Sequence, residues 1–159
     1  MNDNIRHSTI ENELKSGNTV TYYTVGVSMQ PLLSERETIV VIAPKTAKKN
    51  DIVLYIRENG QYVLHRLKNE DNDFYYMRGD NTYPLERVEK SQAIGVVTHI
   101  HRKGRVIDVE ASKGYKLYVL FWNFIYPVRL LLWKCKLFAI RAVRRIKKYI
   151  SKGGKGNGN

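Results

Sequence analysis

The chain has 159 residues, 43% of them apolar, enough to build one hydrophobic core with some surplus. A single cysteine, Cys135, excludes an intrachain disulfide framework and a cysteine-based zinc cluster, so stability has to come from packing. The net charge of +12 is unevenly placed: residues 1–110 hold 15 Lys/Arg against 15 Asp/Glu, and residues 111–159 hold the other 12 basic residues and no acid. A basic globular domain would point to nucleic acid. A neutral domain followed by a basic, Trp- and Leu-rich segment points instead to an anionic membrane surface, and no nucleic-acid partner is expected.

In chain order, the first residues contain no apolar run of the length a secretory leader needs. Ser8-Thr9-Ile10-Glu11 reads as a capping box and Gly17 as a helix stop, which predicts a short polar helix from about Thr9 to Ser16 within an N-terminal segment 1–18. From residue 19 to 112 the pattern changes to short runs of β-branched and aromatic residues separated by turn residues. Strands are expected over Thr19–Val25, Thr38–Ala43, Asp51–Glu58, Gln61–Asn69, Phe74–Arg78, Ala93–His101 and Arg105–Glu110. Turn signals at Glu58-Asn59-Gly60, Asn69–Asp73 and Arg102-Lys103-Gly104 join neighbours into hairpins. The expected fold is therefore mainly β, compact, antiparallel and barrel-like.

Residues 113–150 form a different kind of segment. The uncharged run Leu117–Val128 has 12 residues, about 18 Å as a helix against a hydrocarbon core of about 30 Å, too short to span a bilayer. Pro127 should kink it. Beyond it, Leu137, Ile140, Val143, Ile146 and Ile150 keep helical spacing while Arg141, Arg144, Arg145, Lys147 and Lys148 fill much of the rest, the pattern of an amphipathic helix lying in a membrane interface. Trp122 and Trp133 are the expected interfacial anchors beside those cations. The Gly- and Asn-rich end, residues 151–159, has the composition of a disordered tail.

Four short boxes carry the chemistry. Gly26-Val27-Ser28-Met29-Gln30-Pro31, followed by Leu32-Leu33, can hold a hydroxyl at the mouth of a groove; after it come Asn50-Asp51-Ile52-Val53, Leu64-His65-Arg66-Leu67 and Arg78-Gly79-Asp80-Asn81. In this order they resemble the signal peptidase I superfamily, whose nucleophile box reads Gly-x-Ser-Met-x-Pro, and the resemblance covers roughly residues 20 to 100. It implies the fold shared by signal peptidases and repressor autoproteases, with Ser28 as nucleophile and its backbone N–H as an oxyanion donor. Some relatives add a hydroxyl two residues before the nucleophile, but Gly26 stands there in this chain. Bacterial members generally place a lysine where this chain has His65. The site is similar instead to the archaeal and endoplasmic-reticulum type, in which a histidine is the base and an aspartate, here Asp80, orients it. A hydroxyl needs such a base to become a nucleophile, and imidazole, titrating near pH 6.5, is competent at neutrality without the desolvation a lysine requires.

Simpler readings stand beside these: Ser28 as a turn serine, His65 as a strand histidine satisfied by neighbours, Asp80 as the head of an Asx turn, Asp51 as a turn residue, and Arg66 and Arg78 as partners of nearby carboxylates. His99 and His101 have no third ligand in view, so no metal and no cofactor are expected. The functional expectation is a membrane-associated serine endopeptidase cleaving a leader or signal-like peptide, presented as an extended segment beside the Ser28 loop; relatives favour small residues before the scissile bond. One alternative is a catalytically silent membrane adaptor of the same fold. Another is a self-cleaving repressor-type autoprotease, although those use lysine and carry a helix-turn-helix for which the 19 residues before the first strand are too few. Peripheral or monotopic attachment through the C-terminal segment is expected, by default on the cytoplasmic face, with the outer face as the alternative.

Overall fold

The computed structural model describes residues 10–153. The chain divides into two compact units, Met1–Val119 and Leu120–Asn159. Helix α1 covers residues 10–15 and ends where Gly17 takes φ +87°. There Asn18 N–H donates to Glu13 O at 3.0 Å and Gly17 N–H to Leu14 O at 3.1 Å, the pair of bonds by which a glycine closes a helix. The expected Ser8 cap lies outside the described residues.

Eight strands follow: β1 (Val20–Tyr23), β2 (Thr38–Ala43), β3 (Ile52–Ile56), β4 (Tyr62–Glu70), β5 (Phe74–Arg78), β6 (Glu86–Glu89), β7 (Ala93–Arg102) and β8 (Arg105–Asp108). They form one antiparallel sheet in the order β1-β2-β7-β3-β4-β5-β6. β8 pairs with the far end of β7, opposite β2. The sheet does not close. The fold is mainly β and antiparallel with helices at either end, as expected, and within it β1 and β6 remain open edges.

β3 explains how the sheet is held. Ile52, Val53, Leu54 and Tyr55 are all buried because alternate residues enter two separate apolar clusters. Ile52 and Leu54 join Met29, Leu33, Val40, Ile42, Val97 and Ile100. Val53 and Tyr55 join Val63, Leu67, Met77, Val88 and Val96. A strand covered on both faces reads as a continuous apolar run rather than an alternating one, and each fully buried aliphatic side chain contributes roughly 1.5–3 kcal/mol.

β6 is the one strand the sequence pattern did not suggest: Glu86-Arg87-Val88-Glu89 offers a single apolar residue, and its place comes from pairing with β5. Helix α2 (Lys113–Phe124) contributes Tyr115 and Val119 to the first cluster. Helix α3 (Tyr126–Gly153) begins with Pro127 in its first turn, where the missing N–H is no loss. The proline thus separates two helices instead of kinking one. α3 also runs into the stretch whose composition suggested a disordered tail, and residues 154–159 lie outside the described residues. No helix among the described residues is long and apolar enough to cross a membrane.

Candidate active site

Ser28 sits on the loop between β1 and β2, in a turn closed by Gln30 N–H to Val27 O at 3.2 Å. Gly26 takes φ +86°, a conformation that glycine adopts without strain. Three features fix the loop. Met29 and Leu33 are buried in the core beneath it. Thr24, buried at its start, donates from Oγ1 to Ser34 O at 2.9 Å, and Thr38 Oγ1 accepts Ser34 N–H at 2.9 Å. Arg102 reaches over from β7 to donate to the carbonyls of Pro31 and Leu32. The Ser28 hydroxyl is half-buried at the wall of a cavity of about 560 Å³, and His65 lines the same cavity.

The Gly79–Thr82 turn, between β5 and β6, clamps the serine from the other side. Asn81 N–H donates to Ser28 O at 2.7 Å, and Asn81 Nδ2 donates to Val27 O at 3.2 Å. Gly79 marks where serine and histidine converge: a Cβ there would lie 2.5 Å from Ser28 O and 3.1 Å from His65 Nε2. Gly79→Ala is therefore expected to push the Ser28 backbone out of register. It should cut activity more than tenfold while costing about 1–3 kcal/mol of stability, the usual penalty of overpacking, as measured by hydrolysis assays and urea denaturation.

His65 is buried on β4, and its Nε2 faces Gly79 and the cavity. Its Nδ1 meets the Tyr55 hydroxyl at 3.0 Å. That hydroxyl in turn donates to Glu86 Oε2 at 2.8 Å, and Arg57 holds both Glu86 oxygens at 2.6 Å. Burial lowers the imidazole pKa to about 4, with Glu86 and Asp80 opposing and Arg57 assisting. The hydrogen bonds from Arg57 hold Glu86 below its ordinary range. Among the described residues the Ser28 hydroxyl has no hydrogen-bond partner, His65 included. In unliganded sites such bonds are often open and tighten with substrate.

Asp80 stands elsewhere than the sequence suggested. Its carboxylate forms a two-point pair with Arg66, Nε to Oδ1 at 2.8 Å and Nη2 to Oδ2 at 2.6 Å, with both side chains 1% exposed. Tyr118 donates to it at 3.3 Å. Arg66 also donates to Asn50 O and to the Tyr115 hydroxyl. The expected hydrogen bond from His65 to Asp80 is replaced by His65 to Tyr55, because Asp80 faces the buried guanidinium. Asp51 is a turn residue, its carboxylate accepting Lys48 N–H at 2.8 Å.

Lys68, three residues beyond His65, is partly buried, and that burial, with Arg66 and Arg78 near it, lowers its pKa to about 8. It is not among the residues lining the cavity, whereas His65 is. Sequence reasoning missed Tyr55, Glu86 and Arg57: Tyr55 is 10 positions from His65, and Glu86 is 31 positions from Tyr55 and 29 from Arg57. Only strand register brings them together.

A family model described as Peptidase S24-like matches residues 2–105, and the chain belongs to that family. No curated protein matches it.

The tail residues expected to meet a membrane lie on α2 and α3. Arg141, Arg144, Arg145 and Lys147 are exposed, and Trp122 and Trp133 are half-buried. The Arg129 guanidinium stacks over the Trp122 ring at 3.8 Å. The Lys148 side chain lies outside what is described.

Proposed function

We propose that the protein is a membrane-associated serine endopeptidase that cleaves an extended leader-like peptide, with Ser28 as nucleophile and His65 as general base. The observation that carries this reading is the convergence of the Ser28 loop and His65 Nε2 on Gly79, at the wall of a cavity large enough for peptide side chains. The cavity lies between two stretches of strand that can accept another. β1 is a sheet edge, and β5 pairs with β4 only from Arg66 onward, so Val63–His65 face the cavity. A substrate strand laid there would gain main-chain hydrogen bonds, while Val27, Met29, Leu54 and Leu64 offer apolar contacts to its side chains.

In this mechanism Ser28 Oγ gives its proton to His65 Nε2 and bonds to the scissile carbonyl carbon; the Ser28 N–H faces the developing oxyanion. The Nε2 proton then passes to the leaving nitrogen as the C–N bond breaks. Water, deprotonated by Nε2, attacks the acyl-enzyme, and the proton returns to Ser28. Peptides with a small residue before the scissile bond should be cleaved in proportion to enzyme concentration, and Ser28→Ala should be inert. The family match also favours a repressor-type autoprotease. A fragment of the chain itself that accumulates at a rate independent of concentration, with no cleavage of added peptide, would establish that second reading in place of the first.

Attachment is proposed to run through the C-terminal helices. α2 exposes Leu117, Leu120, Phe121 and Phe124 at helical spacing, and α3 exposes Val128, Leu131 and Leu132. The surrounding charge is entirely positive. Because interfacial docking draws on both apolar area and charge, binding to vesicles containing phosphatidylglycerol should weaken with salt and with neutral lipid. Replacing Leu120 and Phe124 together with Glu should reduce it at least tenfold in a sedimentation assay. Binding indifferent to salt, lipid charge and these substitutions would refute surface docking.

A further inference from the structure

We infer that Tyr55 and Glu86, not Asp80, are the positioning residues of His65: they fix its tautomer and stabilise the imidazolium formed when Ser28 is deprotonated. The inference rests on the peptidase reading for its kinetic arm and on geometry alone for its structural arm.

Proton inventory gives the direction of each bond. Arg57 spans both Glu86 oxygens, at 2.6 Å each, and keeps the carboxylate ionised. An ionised carboxylate only accepts, so the single proton of the Tyr55 hydroxyl is committed to Glu86 Oε2, at 2.8 Å. The Tyr55 oxygen is then left as an acceptor toward His65 Nδ1, at 3.0 Å, and Nδ1 must carry the hydrogen. A neutral ring with Nδ1–H has its lone pair on Nε2, the nitrogen that faces Gly79 and the cavity. This is the form a general base toward Ser28 requires.

The chain ordering the ring is thus Arg57, Glu86, Tyr55, His65, in which every hydrogen bond is directed by the one before it. Tyr55 is fully buried in the second apolar cluster, which locks its ring. It can reach His65 because Tyr55 pairs with Val63, putting His65 two residues along on the same face. The Glu86 carboxylate lies 3.7 Å from Nδ1, close enough for its charge to favour imidazolium without taking the proton. The charged and titratable groups facing His65 are Tyr55 from β3, Arg57 just beyond β3, Glu86 from β6 and Asp80 from the β5–β6 turn. Asp80 bears on the ring through space by its charge, while its oxygens accept from Arg66 and Tyr118.

The test uses the full chain with ¹⁵N-labelled histidine and long-range ¹H–¹⁵N correlation spectra near neutral pH, the His65 signals being assigned by their loss in His65→Ala. Wild type should show the Nδ1–H tautomer for His65. Tyr55→Phe keeps the ring and its packing and removes only the acceptor; it should shift His65 toward the Nε2–H form and lower kcat by about 10–100-fold with KM unchanged. Glu86→Gln retains a carbonyl acceptor for Tyr55 but not the charge, so the tautomer should stay while kcat falls about tenfold. Asp80→Asn should leave the tautomer as in wild type. An unchanged tautomer in Tyr55→Phe, or a shifted one in Asp80→Asn, would overturn the inference. If wild type hydrolyses no peptide, the peptidase reading fails while the spectra still decide the orientation.

Discussion

His65→Ala is expected to lower the rate of peptide hydrolysis by about 10³-fold or more, because among the described residues no other imidazole, carboxylate or amine lines the cavity beside Ser28. The chain should stay folded, since the change removes a ring that packs against Tyr55 but leaves both apolar clusters intact. The pH profile of the wild type makes the assignment specific. Burial lowers the His65 pKa to about 4, so the base is protonated and idle below that pH, and the rate should rise through about pH 4 to a plateau that includes neutrality. An unperturbed imidazole, titrating near 6.5, would retain only about a tenth of its neutral form at pH 5.5. The expected ratio of kcat/KM at pH 5.5 to that at pH 7.5 is near one. A ratio near 0.1 would mean that the catalytic imidazole is solvated and that the buried ring is not the base.

The same shift affects stability. In the unfolded chain His65 regains a pKa near 6.5, so between about 6.5 and 4 the unfolded state binds the extra proton. His65 therefore contributes stability that is fully present above about pH 6.5 and is lost as pH falls toward 4.

The largest loss of stability is expected from Asp80→Ala. It strands Arg66, whose side chain is 1% exposed, leaving its buried charge without the carboxylate that pairs with it and with the neutral acceptors Asn50 O and the Tyr115 hydroxyl in its place. Breaking one half of a buried pair costs about 3–5 kcal/mol, whereas replacing both halves with apolar residues is often close to neutral. Arg66→Met combined with Asp80→Leu should therefore recover much of what Asp80→Ala loses, measured as the urea midpoint at constant slope. Activity should not recover with it, because Asp80 sits in the turn whose Asn81 N–H holds Ser28 O. If Asp80→Ala instead keeps wild-type stability and loses only activity, Asp80 belongs to the proton-transfer machinery after all.

How much of this was legible in the sequence depended on how local each feature is. The limits of β2 and β5 agree with the expected strands because each is a short run of β-branched or aromatic residues bounded by turn residues. The Ser28 loop was visible because its cause lies within a few residues: a glycine at positive φ, a buried methionine and a proline. Arg66 was read as a partner of a nearby carboxylate, and it has one. Which carboxylate was not legible. Asp80 is 14 positions from Arg66 and 15 from His65, and nothing in the box distinguishes the two until register places Arg66 opposite Arg78, beside the turn.

Glu86 was further out of sight. It lies on a strand without an apolar pattern, 31 positions from the tyrosine it accepts from. Tyr55 lies within the strand expected over Asp51–Glu58 and is fully buried in the second apolar cluster; only its hydroxyl is chemical. Closure of the sheet was also beyond local pattern, since strand count and spacing are the same for a barrel and for an open sheet whose edges stay apart.

The most direct measurement is covalent labelling of the full chain with a fluorophosphonate probe, read by intact mass and by mapping the modified peptide. The account predicts one adduct, on Ser28, absent from Ser28→Ala, formed at least 100-fold more slowly in His65→Ala, and gained with pH along a limb centred near 4. An unlabelled wild-type chain, or an adduct on another serine, would contradict it.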